Sequence, residues 1–249
     1  HAIAAELVRH GRSPATPVAV VSDGTMPDER TVLATLGTLG EQIAEAGVRP
    51  PAIIVVGEVV AVAVNFDSQL RDWVRFFKEV RGVKVKLDDL RKLMIPEASP
   101  DFSWIVVMLK GDLPNKIFNG ISPDRMMKYK WYDNLDVGEH DRVADRPYII
   151  RVHNRMEADR EFKNRSVLWL KEKSIKGITL AEYLQLHDFH YWKTGIHLDK
   201  INITLCSGSR NPDGDVPDVY WSPSYGKVYV GACPADCADG YLRSRVVVS

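Results

Sequence analysis

The chain has 249 residues, 33 Lys plus Arg against 33 Asp plus Glu, and 45% apolar residues, enough for one large domain or two ordinary ones. Zero formal charge removes any whole-chain electrostatic reason to expect nucleic acid or an anionic membrane as partner. Three cysteines are too few for a disulfide framework and favour a reducing compartment, so the expected location is the cytoplasm.

The opening "HAIAAELVRHGR" carries Glu6 and Arg9 where a secretory leader would be apolar, and spaces Ile3, Leu7 and Val8 as the end of an amphipathic helix stopped by Gly11. The chain starts on histidine, so a piece of a longer reading frame is expected. "TPVAVV" reads as a strand buried on both faces, "SDGT" as its turn and "RTVLATL" as a second strand. "GTLGEQIAEAG" predicts a helix capped by Thr38, with Gln42, Ile43 and Ala46 inside it and Gly47 as its stop. "AIIVVGEVV" predicts another buried strand. The full apolar run there, "AIIVVGEVVAVAV", is 13 residues long and contains Glu58, short of the roughly 20 residues that span a bilayer. Helix, strand, strand, helix, strand is half of an α/β domain, whose open faces need a partner.

Composition changes abruptly after this part. Residues 1 to 63 hold 11 of the 18 alanines and no lysine, whereas all 22 aromatic residues lie from Phe66 onward. The first part has 4 basic and 7 acidic residues, the remainder 29 and 26. A boundary is expected near Val62 to Asn65, dividing the chain into domains 1–63 and 64–249 without a Gly, Ser or Pro linker.

The run "ELVRHGRSPATPVAVVSDGTMPDERTVLATLGTLGEQIAEAGVRPPAIIVVGEVV" resembles the C-terminal end of the uroporphyrinogen-III C-methyltransferases, members of the tetrapyrrole methylase family, across residues 3 to 62. The resemblance implies an α/β fragment, half of that family's C-terminal domain. It also implies S-adenosyl-L-methionine as methyl donor, uroporphyrinogen III as tetrapyrrole substrate, precorrin-2 as product and a homodimeric parent enzyme. By the same resemblance Ala19, Gly24 and Thr25 lie where backbone meets the donor's adenosine, and a glycine suits close approach of a main chain to a ligand. Ala34 stands where the family usually has glycine. The family's glycine-rich donor loop and tetrapyrrole-binding residues have no counterpart in these residues. The fragment alone is therefore expected neither to hold the donor tightly nor to methylate.

In the second part, "DSQLRDWVRFFKEVRG" predicts a helix capped by Asp67 or Ser68, with Leu70, Trp73, Val74, Phe77 and Val80 inward and Gly82 as its end. "WIVVMLKG", "PYIIRVH", "INITLC", "DVYWS", "KVYVGA" and "SRVVVS" predict strands, with "PSYG" as a hairpin turn. "ITLAEYLQLHDFHYWKTG" predicts a helix opened by a Thr179–Glu182 capping box and closed by Gly195, burying Leu180, Tyr183, Leu184, His187 and Tyr191 on one face. The expected fold is an α+β domain with a mainly antiparallel sheet. The stretch also resembles uncharacterised bacterial proteins with "KGITLAEYL" and "LRSRVVVS", a likeness that carries no function.

Three constellations there could carry chemistry. Cys206, Cys233 and Cys237 with His187, His190 or His197 have zinc-ligand chemistry. However, "CPADC" is one residue longer than the usual knuckle and no second pair exists, so ordinary thiols and a core His187 are expected. "SGSRNPDGD", with Arg210, could cradle an anion or be a polar surface loop. "RMMKYKWYD" mixes Lys128, Tyr129, Lys130 and Trp131 as a single-strand nucleic-acid surface does, and equally as a strand with exposed lysines and buried aromatics does. Two functions stand open: an incomplete methyltransferase, or a binding or regulatory module carried by residues 64–249.

Overall fold

The structure, a computed structural model, describes residues 2–23, 30–96 and 101–249. Contacts divide the chain into two compact units, His1–Ser68 and Gln69–Ser249. No helix among the described residues is long and apolar enough to cross a membrane.

The first unit runs α1 (Ala2–Arg9), β1 (Pro17–Ser22), β2 (Arg30–Thr35), α2 (Leu39–Ala46) and β3 (Ala52–Val56). β1 is the central strand, antiparallel to β2 and β3. Because alternate side chains of a strand face opposite ways, Val18 and Val20 share one face with Ala4, Leu36 and Leu39, and Leu7, Val8 and Ile43 close that core. Ala34 packs there too. The other face carries Ala19, with Leu33 and Ile53 47% and 65% exposed. β3 is therefore not buried as predicted, and it ends at Val56 before Gly57 at φ +121°. Thr38 caps α2 by position only: its hydroxyl turns back to Thr35, accepting from that backbone N–H at 3.1 Å. Gly47 closes the helix in the left-handed conformation, and Gln42, Ile43 and Ala46 lie within it as predicted.

α3 (Glu58–Arg81) starts at the "EVV" assigned to the preceding strand, so Asp67 and Ser68 lie inside a helix and not at its cap. An uninterrupted run without Gly or Pro from Glu58 to Arg81 sustains it, and Gly82 at φ +65° ends it. Leu70, Trp73 and Phe77 are buried as expected, Val74 and Val80 only partly, and Phe76 is buried without having been expected to be.

The second unit continues with α4 (Leu87–Arg91), β4 (Trp104–Met108), α5 (Pro114–Gly120), β5 (Lys128–Lys130), β6 (Glu139–His140) and β7 (Tyr148–Val152). After a short 3-10 turn come α6 (Val167–Glu172), α7 (Leu180–Thr194), β8 (Ile203–Leu205), β9 (Ser209–Arg210), β10 (Val216–Ser222), β11 (Lys227–Cys233), β12 (Leu242–Ser244) and β13 (Val247–Val248). A five-stranded sheet has the order β12-β8-β10-β11-β5, antiparallel through β8, β10 and β11 and parallel at both margins. β13, β7 and β4 form an antiparallel sheet of three, and β6 pairs with β9. The chain thus combines helices with largely antiparallel sheets.

α7 packs against β4 and α5. The Trp73 indole stacks on Phe189 of α7 at 3.8 Å and donates to the Ile105 carbonyl at 3.2 Å, while the Gln69 amide accepts from the Ile105 N–H at 3.0 Å. Every residue of α7 from Leu180 to His190 is buried, where one buried face was predicted. Burial on all sides forces Glu182, Gln185, His187 and Asp188 to find partners inside the protein.

Candidate functional site

The capping box of α7 is formed on both sides, and its Glu182 does more than cap. Its carboxylate takes a two-pronged ion pair from Arg142 at 2.7 and 2.8 Å, the Tyr148 hydroxyl at 2.9 Å and the Thr179 N–H at 2.8 Å. Two turns on, Asp188 is held by Arg81 at 2.8 Å and by Arg125. Burial pushes the Asp188 carboxyl above its ordinary range, and the two arginines pull against that shift.

The densest polar cluster surrounds Asp199. Its carboxylate accepts from Arg245 Nη2 at 2.9 Å, Ala158 N–H at 2.7 Å, the Tyr183 hydroxyl at 2.7 Å and Thr204 Oγ1 at 2.7 Å. Arg245, 1% exposed, also donates to the carbonyls of Arg155 and Met156, both at 2.9 Å. Burial drives the Tyr183 phenol well above its usual value, so it keeps its one proton and gives it to Asp199. Toward His187 Nδ1, 3.4 Å away, the same oxygen can only accept. That places a proton on His187 Nδ1, leaves Nε2 bare, and makes His197 Nδ1 the donor across the 3.1 Å contact between the two imidazoles. His197 lies between the rings of Tyr191 and Trp221, at 4.2 and 3.4 Å. Burial lowers both histidines, His187 well below its usual value and His197 to about 4. Held neutral, the pair orders protons along the chain from His197 to Asp199 and carries no charge.

The predicted site residues fall in different places. Ala19 is 8% exposed on the central strand of the first unit, paired with Leu33 and Val55. Gly24 and Thr25 lie outside the described residues. Cys206 is buried, and burial pushes its thiol well up. Cys233 and Cys237 are half-buried hydrogen-bonding neighbours packed against Leu205 and Val216, with Cys233 pushed up to about 12 by burial and by Asp218. His190 donates to the Ile196 carbonyl at 2.9 Å. Among the described residues no three His, Cys, Asp or Glu side chains converge as a metal site.

In "SGSRNPDGD" Arg210 and two backbone donors turn onto the loop itself, whereas the Ser209 hydroxyl bonds His140 and the Leu180 N–H outside it and the Ser207 hydroxyl is buried without a hydrogen-bond partner among the described residues. Arg210 bonds the carbonyls of Ser207 and Ser209 at 3.0 and 2.6 Å, and the Asn211 side chain accepts from the N–H groups of Asp213 and Asp215 at 3.0 and 2.8 Å. In "RMMKYKWYD" the expected alternation is inverted. Lys128 turns its ammonium onto the carbonyls of Phe118, Asn119 and Ile121 that end α5, and Lys130 onto Asp133. Tyr129 and Trp131 are the exposed members, at 45% and 69%. Free carbonyls at the end of α5 attract the Lys128 ammonium inward, a pull that β-alternation cannot show.

No family model matches the chain. A siroheme synthase of Methylococcus capsulatus is 39% identical over 80 residues, 32% of this chain and 16% of that protein. A uroporphyrinogen-III C-methyltransferase of Priestia megaterium is 45% identical over 58 residues, 23% of this chain and 24% of that protein. The solved uroporphyrin-III C-methyltransferase of Thermus thermophilus, complexed with S-adenyl homocysteine, is 45% identical over 24% of this chain and 25% of its own, with a TM-score of 0.22. The chain thus spans about a sixth to a quarter of these relatives' length. A segment of this chain resembles the tetrapyrrole methylases.

Proposed function

We propose that residues 3–62 are the C-terminal edge of a uroporphyrinogen-III C-methyltransferase and that they work only as part of a longer enzyme. The identity to the Priestia megaterium enzyme, 45% over 58 residues, carries this reading. In it, the backbone at Ala19, Gly24 and Thr25 lies along the adenosine of S-adenosyl-L-methionine, which supplies the methyl group when bound. Ala19 is compatible with such a place in having only a methyl side chain on the sheet face opposite Val18 and Val20. The openness of the same face supports the need for a second wall. Leu33 and Ile53 beside Ala19 are open to solvent, so this edge leaves a ligand largely in water. Two or three backbone hydrogen bonds contribute roughly 1 kcal/mol each, whereas micromolar affinity requires about 8 kcal/mol. Methyl transfer also needs donor and acceptor carbon held in line, which takes a second wall.

Calorimetric titration of the 249-residue chain with S-adenosyl-L-methionine is therefore expected to give no binding heat at micromolar donor. The same chain expressed with the in-frame sequence upstream of His1 is expected to bind the donor and convert uroporphyrinogen III to precorrin-2. Tight binding by the 249 residues alone, or an extended chain that neither binds nor methylates, overturns the reading.

A further inference from the structure

β10, β11 and β5 place three tyrosines in register across the five-stranded sheet: Tyr220 opposite Tyr229, and Tyr229 opposite Tyr129. The first two rings are nearly parallel, with centroids 5.5 Å apart, and Tyr129 follows at 5.5 Å. Trp131 extends the row at 5.7 Å from Tyr129, and Tyr225, from the turn between β10 and β11, reaches Tyr229 at 5.9 Å. Along the strands, Asp218 and Ser222 of β10 and Lys227 of β11 share this face with the rings. Its far end is covered, because Val216 and Leu205 pack against Val167 of α6 and the stretch holding Ala235 and Cys237. The aromatic end is not: Tyr129, Trp131 and Tyr225 are 45%, 69% and 70% exposed.

An aromatic row across strands stabilises a sheet, and cross-strand packing of Tyr220 with Tyr229 is explained that way. Exposed Trp131 and Tyr225 at its rim are not, since each leaves most of its ring in water. Contiguous exposed aromatic surface marks a place where something binds. We propose that this face is a stacking platform for an uncharged oligosaccharide.

Three observations select that occupant. The rim rings are tyrosine and tryptophan, with the half-exposed Met127 two residues before Tyr129 along the chain, and each ring pairs a flat apolar face with a polar edge. A pyranose has the matching form, a C–H face that carries partial positive charge for the ring face and hydroxyls around its margin. The charge is balanced, with Asp218 the acid and Lys227 the base on the same face. The cations that would follow a phosphate backbone are turned away: Lys128 is spent on the carbonyls of Asn119 and Ile121, and Lys130 on that of Asp133. Single-stranded nucleic acid needs a cationic groove beside its stacking rings, and this platform has rings without the groove.

The site lies wholly in the second unit and is independent of the methylase reading. Its test uses the full chain, with cellohexaose, maltohexaose and oligo(dT) as probes, followed by calorimetry and by fluorescence of exposed Trp131. Binding of at least one hexasaccharide, weakened about tenfold by Trp131→Ala and by Tyr225→Ala while oligo(dT) does not compete, is the expected result. Both substitutions change exposed side chains, and unchanged circular dichroism certifies the fold. Neither sugar bound at millimolar concentration, binding unaffected by both variants, tighter binding of oligo(dT), or self-association through this face in sedimentation would each overturn the proposal.

Discussion

Residues 1–68 and 69–249 solve the burial problem in different ways. The small unit is one-sided: α1 and α2 cover Val18 and Val20, while Leu33 and Ile53 on the opposite face stay in solvent. Its core is made of aliphatic side chains alone. The large unit buries charge as well as apolar surface, and each buried acid on or beside α7 has an arginine: Glu182 with Arg142, Asp188 with Arg81 and Arg125, Asp199 with Arg245. An aliphatic core tolerates repacking, whereas a buried charge network fixes one arrangement or fails, because a lost partner strands a charge in a low-dielectric interior. Similarity to known enzymes speaks for the small unit, and geometry speaks for the large one.

The sharpest way to break that contrast is Asp199→Ala. It takes from Arg245, 1% exposed, its directly bonded carboxylate, leaves two carbonyls and the more remote Asp159, and removes the acceptor of the Tyr183 and Thr204 hydroxyls. The expected loss is about 3–5 kcal/mol, read from the urea midpoint followed by tryptophan fluorescence. All 6 tryptophans lie in the second unit, so this signal reports that unit alone. A loss below about 1 kcal/mol would show that the network is dispensable.

Leu39→Ala tests the other side of the comparison. Leu39 is 2% exposed and packs against Val18, Val20 and Leu36. Removing its methyl groups is expected to cost the first unit about 2–5 kcal/mol, visible as faster amide hydrogen exchange in β1 and α2. The tryptophan-detected transition should stay where it is. A matching shift in that transition would mean that the two units unfold together and that the contrast is one of composition only.

How much of this was legible in the sequence depends on the range of the interaction concerned. The element order of the first part, the α7 capping box and the β10–β11 hairpin follow from local spacing, since caps and turns are chosen within about four residues. The start of α3 was misplaced because "AIIVVGEVV" is apolar enough for a strand, and only Gly57 marks where strand gives way to helix. The inward turn of Lys128 depends on carbonyls at the end of α5, and that of Lys130 on the Asp133 carbonyl and the Asn115 side chain. Asp199 and Arg245 are 46 residues apart, and nothing near "HLDK" or "RSRVVVS" announces that they meet. The one available signal is an arginine followed by three valines in a short strand-like run, which asks for a buried acid without saying where it is. In the methylase-like segment, by contrast, the functional reading came from resemblance, and Ala19 would look like any small strand residue without it.

The smallest expected effect is a pH dependence in which two groups of the large unit oppose one another. His197 is lowered by burial to about 4, so between the ordinary value of about 6.5 and pH 4 the unfolded chain takes up the proton first. Its contribution to stability is present at neutral pH and is lost as pH falls through that window. Asp218 is raised by burial to about 6, and the groups that sense it, Cys206, Cys233, Tyr132 and Tyr220, include no cation. Between pH 3.8 and 6 its folded form holds the proton that the unfolded chain has released, so stability is lost as pH rises. From pH 4 to 6 the two slopes have opposite signs and largely cancel in the native sequence. Asp218→Asn removes the falling slope, and the urea midpoint should then climb with pH relative to the native protein. His197→Gln removes the rising one, and the midpoint should then decline with pH by the same comparison. Midpoints for the three proteins at pH 4, 5 and 6 decide the matter. Parallel pH profiles would show that neither carboxyl nor imidazole is shifted in the folded chain.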